Sequence, residues 1–471
     1  MRKIISIQRS VKIKQFNTKS NKMLVYFKFP MHYNFLQLIM GDVYFLNRKK
    51  WLPIILLLPV VMAASACREQ PVKEKEPVTI HLLLPKPNSN APGLYDIDAL
   101  YRKSIAAFHE ANPLITVTID YIEEIAETEK PDLDIIPMDT LAVETASEQE
   151  VLLDLLPLQR SAGTKNDIDQ KILDTAMVDG KLLVLPYAAN PLLVLYNKDF
   201  FEKAHIPVPQ GDWTWEQFRD ISKKLSPERG SAIPYLPNIL EILAATAGKS
   251  LLSPDADTSV GYLDSPEAVR SVQWLNDYYR DDASKITPMA FLDAGKQFNN
   301  FQTGMVLGNL ESYTFYKQNL GDKLGVAPLP HFQDGAPANP ISFSGFGISK
   351  DSKHPMEAWA YIHYLSLTNT ELSAEFAKYN LVTSDSMAKA VQQDTDPIKN
   401  VFADEMKHAV KPVGLGSPLM YDPDLNTQFR QLFKADNEKI PSLLHSLALK
   451  VDVQIKQMEN AKKEKAEKAA S

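Results

Sequence analysis

Apolar and polar positions follow two rhythms along this chain. Val78 to Leu84 (VTIHLLL) is an apolar run of strand length, and Ile115 to Tyr121 alternates β-branched with other residues; both read as strands. Between them Leu100, Ile105 and Phe108 recur at helical spacing, which predicts a helix over 98–111 ended by Asn112-Pro113. Leu133 to Pro137 (LDIIP) reads as a short third strand. Strand, helix, strand, strand within about 60 residues predicts an α/β unit on a mostly parallel sheet, whose ligands lie beyond the carboxyl ends of the strands. That singles out the loops at 85–95 and 138–142.

The rhythm continues with two apolar runs, Leu182 to Pro186 and Leu192 to Tyr196, on either side of Tyr187-Ala188-Ala189-Asn190-Pro191. Thr214, with Gln217 three residues later, forms a capping-box pattern for a helix to about Leu225. Pro266 opens a helix over 266–280 with Val269, Val272, Leu275 and Tyr279 on one face. Further helices are predicted over 291–303, 355–367, 423–433 and 440–459, with short strands at 305–307 and 325–327. Residues 332–339 read as loop, Phe346 opens a new element, and 462–471 is a solvated charged tail.

Composition adds a compartment to this picture. With 471 residues, 45% hydrophobic and 23% charged, the chain is long enough for two lobes with cores of their own. Eleven of the 51 Lys and Arg but only one of the 58 acids, Asp42, lie in residues 1–66, which leaves 40 bases against 57 acids from residue 67 onward, a net of −17. A body so acidic repels nucleic acid. Arg48-Lys49-Lys50 precedes the uncharged run Trp51 to Ala66, which is interrupted by Pro53 and Pro59 and is shorter than the roughly 20 residues a spanning helix needs. A basic flank, a short apolar run and small residues are the parts of an export signal. Ala64-Ser65-Ala66-Cys67 resembles the bacterial lipobox, with Ala64 in place of the usual Leu. The resemblance implies cleavage before Cys67 and lipid attachment to its thiol, hence anchoring on the extracellular face of the bacterial cell membrane. The only cysteine of the chain stands at that position, and it can form neither an internal disulfide nor a Cys-rich metal site. Residues 1–39 match no part of a signal, whereas Met40 would open one of conventional length. Residues 67–77 read as a polar tether.

A search for chemistry returns little. There is no G-x-G-x-x-G after a strand, no phosphate loop and no H-E-x-x-H. The nine His are dispersed, neither Gly308 to Ser312 nor Ser342 to Gly345 has the G-x-S-x-G pattern, and no twelve-residue calcium loop ending in Glu is present. Acid pairs such as Glu123/Glu124, Asp132/Asp134 and Asp281/Asp282 fit a solvated surface. The reading is a non-enzyme without metal or cofactor. Loop-borne aromatic and amide side chains fit a carbohydrate pocket, because aromatic faces stack on sugar rings while polar groups satisfy hydroxyls.

Four ordered stretches carry a resemblance to a known family. They are Asp179-Gly180-Lys181 running through Leu185-Pro186-Tyr187 to Leu195-Tyr196-Asn197-Lys198-Asp199; Trp213-Thr214-Trp215-Glu216-Gln217-Phe218; Phe301-Gln302-Thr303-Gly304-Met305-Val306; and Gly345 to Lys350 with Pro355-Met356-Glu357-Ala358-Trp359. The mature chain resembles the extracellular solute-binding proteins that include maltose-binding protein, the lipoprotein receptors of sugar-importing ABC transporters. The resemblance implies an α/β, two-lobe, periplasmic-binding-protein-like fold of type II. Residues 78–188 plus 345–400 would form lobe one, 190–342 plus 405–455 lobe two, and 456–471 the tail. It implies a monomer that closes on a small-molecule solute and docks on membrane permeases. By position, the ligand-binding residues would be Lys86, Asn88, Tyr95, Asp139, Tyr187, Asn309, Glu311, Tyr313 and Phe343, with Asn190, Pro191, Ser344 and Gly345 at the hinge. Trp213 and Trp215 are expected to pack. A carbohydrate leads among ligands; a surface lipoprotein of the same fold that senses a ligand for a signalling partner, or one that binds a peptide-like solute, are the alternatives.

Overall fold

A computed structural model describes residues 76–84, 97–121, 132–209, 211–225, 231–233, 237–281, 291–412, 423–432 and 435–470. The leader, Cys67, Lys86, Asn88 and Tyr95 lie outside the described residues. In the first lobe the chain lays down β1 (Val78–Leu84), β2 (Ile115–Tyr121), β3 (Ile135–Asp139), a hairpin of β4 (Met177–Val178) and β5 (Lys181–Leu182), and β6 (Leu185–Asn190). It then crosses to β7 (Leu193–Asn197), β8 (Ser231–Ala232), β9 (Met305–Gly308) and β10 (Leu324–Ala327). It returns through β11 (Asn339–Pro340) to β12 (Ser342–Ile348) and β13 (Leu381–Val382), and crosses again past β14 (Ala409–Val410) to the helices Pro423–Leu432 and Ile440–Ala470.

Sheet one has the order β13-β6-β12-β3-β1-β2, and sheet two the order β10-β7-β9-β8. The expected mixed α/β lobes are present, but the sheets are not mostly parallel. Only β1/β2, β1/β3 and β8/β9 are parallel among the pairs of these two sheets, whereas β12/β3, β12/β6, β13/β6, β10/β7 and β7/β9 are antiparallel. The crossings account for the pairs made by β12 and β7. A strand that returns from the other lobe enters at the shared edge and runs away from it, opposite to a strand that arrives there.

Local sequence explains several boundaries. The third strand begins at Ile135 rather than Leu133 because buried Asp134 turns its carboxylate to the His81 N–H (2.9 Å). The capping box at Thr214 and Gln217 forms as expected and opens the helix Trp215–Lys224. Asn197 ends β7 and caps the helix Lys198–Lys203 by accepting the Asp199 N–H (3.0 Å). Every residue of β7 is buried. Val194 and Tyr196 enter a core with Trp213, Trp215, Phe218, Trp274 and Phe332, while Leu193 and Leu195 face Phe298, Val306, Tyr316 and Phe402. Burial on both faces is why this strand reads as an unbroken apolar run. A third core joins the helices Pro266–Asp281, Pro423–Leu432 and Ile440–Ala470, and the last of these carries the charged tail as helix to Ala470. The helix Pro397–Met406 straddles the expected 400/405 division, with Phe402 in the second lobe's core.

Candidate functional site

The pairing registers bring one edge of each sheet to the crossings. In sheet one the carboxyl ends of β1, β2, β3 and β6 and the start of β12 share an edge. In sheet two the start of β7 pairs with the end of β9, and β8 and β10 also end on that side. Connections leave from these edges, so the groups on them bound the space between the lobes.

Sheet one presents a polar stripe at its edge. Ser344 pairs with both Asp139 and Ala188, and Ser342 pairs with Asn190. Directly paired residues share a face, so Asp139, Ser344, Ser342 and Asn190 lie together across three strands. Ser342 is exposed and the other three are half-buried. Farther from the edge, at Phe346, the same face becomes an aromatic core with Tyr101. The Asp139 carboxylate accepts the Ala142 N–H (2.9 Å) and so caps the helix Thr140–Glu148. Asn190 Oδ1 is buried without a hydrogen-bond partner among the described residues.

Tyr187 owes its position to a β-bulge. Ser344 pairs with Ala188 and Gly345 with Pro186, so Tyr187 is the extra residue on β6. Bulges re-aim a side chain, and this ring stacks on Phe346 (5.1 Å) and Phe376 (4.7 Å) while staying half-buried. Gly345 is required at the same bulge. A Cβ there would lie 2.5 Å from Leu185 O and 2.5 Å from Val184 Cγ1, so close packing accounts for this glycine expected at the hinge. Pro191 is buried between β6 and β7.

Two rings expected to stack on a solute are buried in the lobes. Phe343 is 1% exposed in the first core, because alternation turns it to the face opposite Ser342 and Ser344; its N–H donates to Thr140 Oγ1 (2.7 Å). Tyr313 is buried in the second lobe edge-on to Phe402 (6.3 Å), and burial raises its phenol pKa. Asn309 follows β9 at the edge of sheet two, where its side-chain oxygen accepts from Ser312 N–H and Oγ (both 3.0 Å) and caps the helix Leu310–Leu320. Glu311 is exposed in the first turn of that helix. Trp213 and Trp215 pack, as expected, with indole N–H bonds to Pro328 O (2.8 Å) and Thr246 Oγ1 (2.9 Å). Sequence reading assigned Asn190 to the hinge and passed over Ser342; the alternation of Phe343 between two serines was the signal for a polar face. Among the described residues no cluster of three His, Cys, Asp or Glu could hold a metal ion, and no helix is long and apolar enough to cross a membrane.

Comparison with known proteins fits this architecture. Residues 103–401 match the family model of the bacterial extracellular solute-binding proteins. A putative binding protein of Brucella abortus is 24% identical over 207 residues, which are 42% of this chain and 49% of that protein; the chain thus spans about half the length of the curated relatives it matches. Among solved structures, an ABC substrate-binding protein from Listeria monocytogenes in complex with cycloalternan superposes with a TM-score of 0.62 at 20% identity, covering 82% of this chain and 100% of that one. UgpB from Mycobacterium tuberculosis, in complex with glycerophosphocholine, gives 0.57 at 17% identity, with 84% and 100% covered. The matched region includes strands of both sheets and the first two crossings, and the chain belongs to the bacterial extracellular solute-binding proteins.

Proposed function

We propose that this chain captures a hydroxyl-rich solute, a sugar or oligosaccharide, between its lobes and delivers it to the permease subunits of an ABC importer, held at the membrane by lipid on Cys67. The polar stripe carries the reading, above all Asn190 Oδ1, which lies beside Ser342 and has no partner among the described residues. A buried acceptor without a donor is costly, and a solute hydroxyl supplies the donor. Asp139 and Ser344 extend the stripe, and Glu311 stands on the facing edge of the second lobe. Tyr187, half-buried at the bulge, stands next to the stripe. Lys86, Asn88 and Tyr95 are proposed to add contacts from the loop after β1. The Listeria structure holds cycloalternan and the Mycobacterium structure glycerophosphocholine. Lobe closure follows from the solute's higher affinity for the closed form.

A thermal-shift screen of the chain against mono- and oligosaccharides, glycerol phosphodiesters and peptides tests this. A concentration-dependent rise in Tm with one sugar class is expected. Stabilisation by peptides alone would overturn the carbohydrate assignment and leave solute capture standing. Sugar binding in a strain whose sugar uptake is unaffected by loss of the protein would move the role from import to sensing.

A further inference from the structure

Two polar side chains are buried where the crossings meet, one of them within a few residues of the stripe along the chain. Asn339, fully buried, lies on the crossing from β10 to β12. Its Nδ2 donates to Leu192 O (2.7 Å) and its Oδ1 accepts from Leu192 N–H (3.2 Å), on the crossing between β6 and β7. Glu405, 6% exposed, lies in the last turn of the helix Pro397–Met406, where the third crossing begins. One carboxylate oxygen accepts from Asn339 Nδ2 (2.8 Å), the other from the Leu329 N–H (3.1 Å). The backbone repeats the connection, since Asn339 N–H donates to His408 O (2.9 Å) and β11 pairs with β14. Lys411 then binds Glu144 (2.8 Å) and Met177 O (3.0 Å), which fastens the third crossing to the first lobe.

We propose that Glu405 and Asn339 are a clip that joins the three crossings into one rigid pivot, and that they are positioning residues for solute capture although neither faces the solute. The inference rests on the reading of the chain as a two-lobe trap. Pulling any crossing away from the others orphans a buried group in a low-dielectric setting. Bending is therefore displaced to the backbone flanking the clip, at Asn190-Pro191 and Ile341-Ser342. A tight pivot keeps the open lobes near one separation, so that less freedom is lost on closure.

The test needs no solute. In the full chain carrying Cys67→Ser, spin labels at Lys181→Cys and Glu216→Cys, both exposed positions, report the interlobe distance. Glu405→Gln and Asn339→Ser should each broaden that distribution, roughly doubling its width. An unchanged distribution in a folded variant would overturn the clip. Should the variants fail to fold, amide exchange in the unsubstituted chain decides. Leu192 and Leu329 N–H, bonded to the two clip side chains, should exchange slowly and as one opening unit; rates apart by more than about a hundred-fold would overturn the proposal. Absence of sugar binding leaves both readouts intact, and so separates failure of the carbohydrate reading from failure of the clip.

Discussion

Asn190 and Glu405 make opposite demands on the residues around them. Asn190 keeps a buried oxygen to which no described residue donates, a cost that a solute hydroxyl would remove. Asn190→Ala should leave Tm unchanged or higher while weakening sugar binding by about ten-fold, read by calorimetric titration and thermal unfolding of the same sample. Glu405 has donors for both oxygens but sits inside the protein. Burial raises its pKa above the ordinary 4.5, against the lowering effect of the Asn339 and Leu329 hydrogen bonds. A carboxyl with a raised folded pKa binds its proton more readily in the folded state, so its effect on stability improves as pH falls through the folded pKa toward the unfolded one. Measured by denaturant unfolding, the stability of the unsubstituted chain relative to Glu405→Gln should thus rise from neutral pH down to 4.5 and then level off. The opposite slope would mean that the carboxylate is better accommodated than its burial implies.

At the scale of the element, the bulge opposite Gly345 decides what the site can present. Gly345→Ala would press a methyl group against the Leu185 carbonyl, a backbone atom that cannot swing aside, and should cost about 1–3 kcal/mol by denaturant unfolding. Thr214→Ala removes one half of a capping box and should cost about 1 kcal/mol with binding unchanged. These cases mark what could be read from sequence. The Thr214 cap, the buried run of β7 and the helix Pro355–Leu367 are local in origin, so pattern and propensity place them. The orientation of Tyr187 depends on pairing with a strand more than 150 residues later, and the burial of Tyr313 on Phe402 from the remote helix Pro397–Met406. No local pattern encodes such partners. Phe343 was legible in part: strict alternation through Ser342, Phe343 and Ser344 already sets the ring apart from the serines. The order of the family's four stretches carried the two-lobe fold, and the contacts that define the clip became visible only with the crossings assembled.

For the whole molecule, the proposed trap predicts a change in shape. Saturation with the sugar that raises Tm should shrink the radius of gyration in solution scattering, and Asn190→Ala should restore that shrinkage only at higher sugar concentration. The topology has a second consequence, for the order of events during synthesis and export. β12 lies in the middle of sheet one, between β6 and β3, yet it is formed by Ser342–Ile348. A nascent chain holding β1, β2, β3 and β6 lacks the strand that joins β6 to the others, and the intervening residues of the second lobe must emerge before it arrives. Domains tend to fold as they are completed, and pairings this remote in sequence form slowly. The first lobe is therefore kept from closing its sheet until about three-quarters of the polypeptide exists, which leaves the N-terminal region threadable for much of its passage out of the ribosome.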